Sequence, residues 1–238
     1  MPIEAGVQDG ADAYAVRGAL DEQMERSIAQ ANAAFLGLVA RAAASAPGQD
    51  AFGLPPDHAA RIAAQAPAAR ARTADCPYTL FDLRFADAAC WSATFHGVAR
   101  EGPAGSSPAL VPADVERFAR TAAFLAWHVS RHGALAAALV LGVDPTAYDA
   151  WRGLPLQELE RATAATAGQL RARWGGHPRF WPLLLDAAAD PRPELAERAR
   201  LLGLQLLATD GCGPAVAVRR PRRPIPGTPA GARPAIRG

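Results

Sequence analysis

The sequence contains no lysine, and all 25 of its basic residues are arginine. Together with 58 alanines in 238 positions, that pattern reads as coding bias and carries no chemistry of its own. Cysteine is scarce as well. The three present, at positions 76, 90 and 212, form no CxxC pair and leave an odd number, which argues against a disulfide framework or a four-cysteine zinc site. Aromatic residues make up only 7% of the chain. Burying an alanine methyl gains far less than burying Leu or Phe, so packing must lean on a few large side chains. No apolar run approaches the roughly 18 to 20 residues that a membrane span needs, and the first ten residues hold Glu4 and Asp9 without an arginine, unlike a secretory leader. The expected compartment is the cytoplasm. No GxSxG, Walker loop or GxGxxG occurs, and GPAGSSP lacks the lysine and following helix that would cradle phosphate. No cofactor is expected, and catalysis is the weakest reading.

Half of the residues are apolar and a fifth are charged, enough for one large domain or two small ones. From Asp12 to about Ser45, Leu20, Met24, Ile28, Ala31, Phe35 and Leu38 recur at steps of three and four, which predicts one long helix with a narrow apolar stripe. Such a stripe suits a helix–helix seam better than a cofactor groove. Pro47 and Gly48 end that helix. Pro55 or Pro56 opens a short helix, and Pro67 ends it or opens another. Tyr78 to Phe85 reads equally as a helical turn or a short strand. Residues 101–111 are rich in Gly, Ser and Pro and read as a linker. A second long helix starts at Pro112, a second joint follows at LGVDP, and helical segments are expected near 180–189 and 193–208. From Gly213 onward the chain is Pro, Gly, Ala and Arg with no period, and is expected to be disordered.

Laying residues 33–85 over residues 122–174, a shift of 89, aligns AAFL with AAFL and needs no gap. Gly53 then meets Gly142, Pro56 meets Pro145, Arg72 meets Arg161, and Arg84-Phe85 meets Arg173-Trp174. Identities number about eight in 53, few in so alanine-rich a chain, but the aromatic, the turn glycine and the closing Arg-aromatic pair all keep their spacing. Each copy is too small to bury its own stripe. Two copies in one chain are expected to bury their seams against each other.

This unit resembles the flagellar transcriptional regulator FlhD. Phe52-Gly53-Leu54 and Leu141-Gly142-Val143 stand where that family has Leu-Gly-Ile, and Leu83-Arg84-Phe85 and Ala172-Arg173-Trp174 stand where it has Phe-Arg-Phe, at the same 31-residue distance. The resemblance covers about 55 residues in each half. It implies an all-α fold of two FlhD-like units packed as an intrachain pseudo-dimer. The units would span 1–100 and 112–212, joined by a linker at 101–111 and followed by a disordered tail at 213–238. It further implies a non-enzymatic transcriptional regulator of flagellar or related genes, working through protein contacts with an FlhC-like DNA-binding partner. Homo-oligomerisation is left open and no membrane is involved. Departures are that the family is a single unit of about half this length, and that its Leu-Pro is matched by Leu154-Pro155 but only by Pro67 in the first half. An adaptor with no role at DNA is the alternative reading.

The candidate partner-facing residues are Arg84, Phe85, Arg173 and Trp174. For nucleic acid, the candidates are Arg219, Arg220, Arg222 and Arg223, four arginines within five positions of a tail that follows the last acidic residue, Asp210. A segment of that kind neutralises phosphates without reading sequence. The body before it carries 19 arginines against 23 acidic residues. Its two-helix joints are weak readers of bases, because the second one carries Glu158 and Glu160, which repel phosphate. His128 and His132 are four apart on a predicted helix, a spacing that places two imidazoles on one metal, but no third ligand is near in sequence, so a solvent-facing or capping pair is expected and no metal site. Cys76 and Cys90 are expected to be small buried hydrophobes, His96 being the sole nearby base. The five tryptophans, at 91, 127, 151, 174 and 181, are expected to be core fillers more than interface groups.

Overall fold

Asp21 starts the first helix by accepting the Met24 backbone N–H on its Oδ1 at 2.7 Å, which satisfies one of the donors that every helix start leaves free. In the computed structural model, which describes residues 20–95, 112–190 and 192–211, this helix, α1 (Glu22–Ser45), carries Met24, Ile28, Ala31, Phe35 and Leu38 buried along one side, with Leu20 buried just ahead of it. Glu22, Glu25 and Arg26 face water, and the two acids also suit the positive end of the helix dipole. The expected helical residues 12–19 lie outside the described residues.

Two short helices follow, α2 (Pro56–Ala64) and α3 (Pro67–Ala74). Each opens on a proline, whose missing N–H costs nothing in a first turn. The segment that periodicity could not assign is extended: Phe81–Asp82 form β1. Helix α4 (Ala88–Phe95) then begins, where Asp87 Oδ1 accepts the Cys90 N–H at 2.8 Å. The second half opens with α5 (Ala113–His132). A break not foreseen from the sequence follows at Gly133, whose φ of +129° is open to glycine and strained for other residues, and the chain continues as α6 (Ala134–Leu141). Next come α7 (Pro145–Gly153), α8 (Leu156–Thr166), a 3₁₀ turn (Ala167–Gln169) and β2 (Arg171–Ala172). The chain ends its described part with α9 (Phe180–Ala189) and α10 (Pro193–Gly211). The architecture is thus mostly helical, with one two-stranded ladder among the described residues.

Helices α1 and α5 pack on each other in the middle. Helices α2 and α3 lie on α1, and α7 and α8 lie on α5. The two sides then exchange an element: α4 reaches across to pack on α7 and α8, while α9 reaches back to pack on α2 and α3. Helix α10 covers α9 and touches α6. Helices α2 and α7 start 89 residues apart, at Pro56 and Pro145, and so do α3 and α8, at Pro67 and Leu156. The strands β1 and β2 are antiparallel, with Phe81 opposite Ala172 and Asp82 opposite Arg171. Asp82 and Arg171 are themselves 89 positions apart, so the ladder pairs a residue with its own counterpart.

Phe35 sits at the centre of this arrangement, with the rings of Phe52, Phe81 and Phe118 all within 6 Å of its own. One buried polar side chain clasps the turn between α3 and β1. Asn32 donates from Nδ2 to Ala74 O and Tyr78 O and accepts the Leu80 N–H, so one side chain answers three backbone groups of that turn. Tyr78 in turn lies on α10 where Gly203 leaves room. A Cβ at Gly203 would stand 2.0 Å from the Tyr78 hydroxyl oxygen.

Candidate functional site

The two closing Arg-aromatic pairs meet around the β1–β2 ladder, and the backbone there is unusual. Arg84 has φ +56° and Trp174 φ +52°, left-handed conformations that a side chain adopts at a cost of order 1–3 kcal/mol. Both occur just after their strands. The surrounding structure holds them with three tryptophan N–H groups: Trp91 Nε1 donates to Arg84 O at 2.9 Å, Trp151 Nε1 to Phe85 O at 3.0 Å, and Trp181 Nε1 to Arg173 O at 2.9 Å. Trp91, Trp151 and Trp181 are fully buried. They are core fillers, as expected, and their indole N–H groups fix the backbone of the two motifs, which composition could not reveal. The other two tryptophans are half-buried. Trp127 donates to Leu154 O and carries the Arg131 guanidinium 4.7 Å above its ring, while Trp174 donates to Asp210 Oδ2 at 2.7 Å.

Of the four residues expected to face a partner, two are inside. Phe85 has no exposed surface and packs on Phe81 and Trp151. Its contact with Trp151 is with the other half of the same chain, which α7 brings across to it. Arg173 is 7% exposed. Its guanidinium donates to Val140 O and Leu141 O at the C-terminal end of α6, where last-turn carbonyls and the helix dipole favour a cation. Burial draws the Arg173 pKa down, and Asp82, Asp210 and Tyr78 act against that shift. Arg173 therefore ties α6 to the ladder instead of presenting itself outward. Arg84 and Trp174 keep part of their surface. Arg84 pairs with Asp87, and Trp174 lines a cleft of about 380 Å³ with Gly142, Gly176, Leu207 and Asp210. Arg219, Arg220, Arg222 and Arg223 lie outside the described residues, as do the linker at 101–111 and the tail at 213–238.

The chemistry-bearing side chains are placed as follows. Burial pushes the Cys76 thiol up from 9.0 to about 12, against the smaller opposite pulls of Arg200 and of a hydrogen bond with Tyr78. A thiol so placed is not a nucleophile near neutral pH. Cys90 is half-buried on α4, and His96 lies outside the described residues. His128 and His132 are exposed on α5 with ring centres 4.6 Å apart. Among the described residues, no group of three or more His, Cys, Asp or Glu side chains is placed so that it could hold a metal ion, and no helix is long and apolar enough to cross a membrane.

No protein-family model matches this chain, and neither a curated protein nor a solved structure is significantly similar to it.

Proposed function

We propose that this chain is two FlhD-like units joined end to end and packed as an intrachain pseudo-dimer, and that it regulates flagellar or related genes through protein contacts rather than catalysis. The units run over 1–100 and 112–212, and an FlhC-like protein is the DNA-binding partner. The observation that carries the reading is the reciprocal exchange of α4 and α9 around a ladder in which Asp82 faces Arg171. A chain of two unrelated domains has no reason to pair a residue with the position 89 further on. With Phe85 and Arg173 turned inward, the surface left to a partner is the rim of the seam, where Arg84 and Trp174 stay half-exposed. DNA is reached mainly through the partner, with Arg219, Arg220, Arg222 and Arg223 adding sequence-independent phosphate contacts.

The adaptor reading rests on charge: without the tail the body has four more acidic residues than arginines, which does not favour DNA on the helical surface. Co-expression with an FlhC-like protein separates the two. The regulator forms a complex stable to size-exclusion chromatography that shifts promoter DNA, with affinity falling as salt rises, and Trp174→Ala together with Arg84→Ala weakens the complex. A chain that never associates with such a partner, or a complex indifferent to both substitutions, sinks the proposal.

A further inference from the structure

The outer face of α5 is charged and aromatic at once, and the rest of the fold leaves it uncovered. Arg117, Arg120, Phe124, Trp127, His128 and Arg131 recur at steps of three, four, three, one and three, which places all six within about 100° of arc around the helix axis. Arg117, Arg120, His128 and Arg131 are exposed, and Phe124 and Trp127 are half-buried. We infer that this face docks an acidic amphipathic helix of a protein partner, with Arg120 and Arg131 each receiving a carboxylate and Phe124 meeting an apolar side chain between them. The surface is built on other elements than the rim at Arg84 and Trp174 and is independent of it.

Arg131 is the best-prepared part of the face. Its guanidinium lies 4.7 Å above the Trp127 ring, and Trp127 is itself fixed by the bond from its Nε1 to Leu154 O at 3.0 Å. A planar cation laid on an indole keeps its fork of N–H donors for a carboxylate, and it loses less side-chain freedom on binding than an unsupported arginine. Arg117, Arg120 and Arg131 enter none of the ion pairs among the described residues. Asp114, at the start of the same helix, is taken up by Arg41 of α1, so Glu116 is the one exposed carboxylate that α5 contributes. Positive charge therefore dominates this face of a body that is acidic as a whole. Apolar surface adjoins it: Leu135 and Leu156, 55% and 50% exposed, are the most exposed large apolar side chains among the described residues. Leu135 comes four residues after Arg131, and Leu156 two after Leu154. Glu158 and Glu160 on α8, which packs on α5, join Glu116 in opposing the unbroken phosphates of a nucleic acid, whereas discrete carboxylates are spaced to miss them. Arg131 also covers a face of the Trp127 ring on which a base would stack. Arg120 and Arg131 are 11 positions apart, about 16 Å or three turns along the axis. A partner helix lying along α5 therefore presents its two acids at that same interval, with its apolar residue between them.

The test is fluorescence anisotropy of a labelled synthetic helix that carries two glutamates about 11 residues apart and leucine between them on one face, titrated with the full chain. The helix binds one to one with a micromolar Kd, more weakly as salt rises. Arg131→Ala weakens it by about fivefold or more, and Arg120→Ala by about threefold. Arg131→Lys keeps the charge, gives up the fork and the stack, and still weakens binding. Arg198→Ala, which removes an exposed arginine of α10, leaves binding unchanged. No binding of the helix overturns the proposal, as does equal binding of a peptide of the same composition with its glutamates scattered around the axis, or an equal loss in Arg198→Ala. Tighter binding of single-stranded oligothymidylate through the same arginines assigns the face to nucleic acid and overturns it as well. None of these outcomes bears on the FlhC-like partner, whose complex is read at Arg84 and Trp174.

Discussion

Trp91 and Trp181, 90 residues apart, make corresponding hydrogen bonds in the two halves, and replacing each by phenylalanine asks whether the halves are energetically alike. In both, the indole is fully buried and its N–H meets a motif carbonyl at 2.9 Å, Arg84 O in one case and Arg173 O in the other. Phenylalanine keeps one ring and removes the donor. A buried carbonyl left without its partner costs about 1–3 kcal/mol, a cost that falls fully on Arg173 O and only partly on Arg84 O, which also accepts the Asp87 N–H at 2.9 Å, and the unfilled volume of the lost ring adds about 1–2 kcal/mol. Trp181→Phe is therefore destabilised by about 2–4 kcal/mol and Trp91→Phe by about 1–3 kcal/mol. For a chain of this size that lowers the melting temperature by about 5–15 °C for Trp181→Phe and by less for Trp91→Phe. Urea unfolding followed by circular dichroism measures both, with a common slope confirming that the midpoints are comparable. A loss above 2 kcal/mol at one tryptophan with none at the other refutes the equivalence of the two motifs, whatever the shape of the fold.

The long helices and the thiol give two more predictions. Phe35→Asp places an unpaired charge among three rings and costs about 3 kcal/mol or more, whereas Phe124, its aligned counterpart, is only half-buried and Phe124→Asp costs less; equal losses in chemical denaturation contradict the packing. Cys76 stays unreactive toward a thiol reagent in the native protein at pH 8 and reacts on unfolding. Its folded pKa is raised from 9.0 to about 12, so the unfolded chain gives up that proton first. The thiol's contribution to stability is thus intact below pH 9 and is lost between 9 and 12, at up to about 1.4 kcal/mol per pH unit. Tyr78, raised by burial in the same sense, adds to the slope above its ordinary value of 10.0. Cys76→Ala flattens the profile above pH 9, and an unaltered slope rules out the thiol as its source.

The parts of this fold that repeat with a period were legible in the sequence, and the parts fixed by single polar contacts were not. The stripe from Leu20 to Leu38 is buried throughout because a helix on a helix needs a 3.6-residue recurrence. Pro56 and Pro67 open their helices for a steric reason that operates locally. Leu80, Phe81, Leu83 and Phe85 are all buried, so the segment carries neither a helical nor an alternating pattern, and only the pairing of Asp82 with Arg171 makes it a strand. Asn32 stands between apolar neighbours in the stripe, and nothing within α1 announces that a turn more than forty residues away needs its amide. The Arg-aromatic pairs were recognised by spacing, yet spacing is silent on direction. Phe85 and Arg173 point inward because Trp151 and the end of α6 arrive there from elsewhere in the chain.

The pairing of Asp82 with Arg171 is where the account of two halves in one chain is most exposed to test. Cα atoms directly opposite in an antiparallel ladder are about 4.5–5.5 Å apart, within the range a disulfide spans. Asp82→Cys combined with Arg171→Cys, oxidised in dilute solution and mapped by peptide mass spectrometry, yields an 82–171 disulfide inside a single monomeric chain. If instead no such bond forms, or if it links two chains, the halves do not close on one another within one molecule.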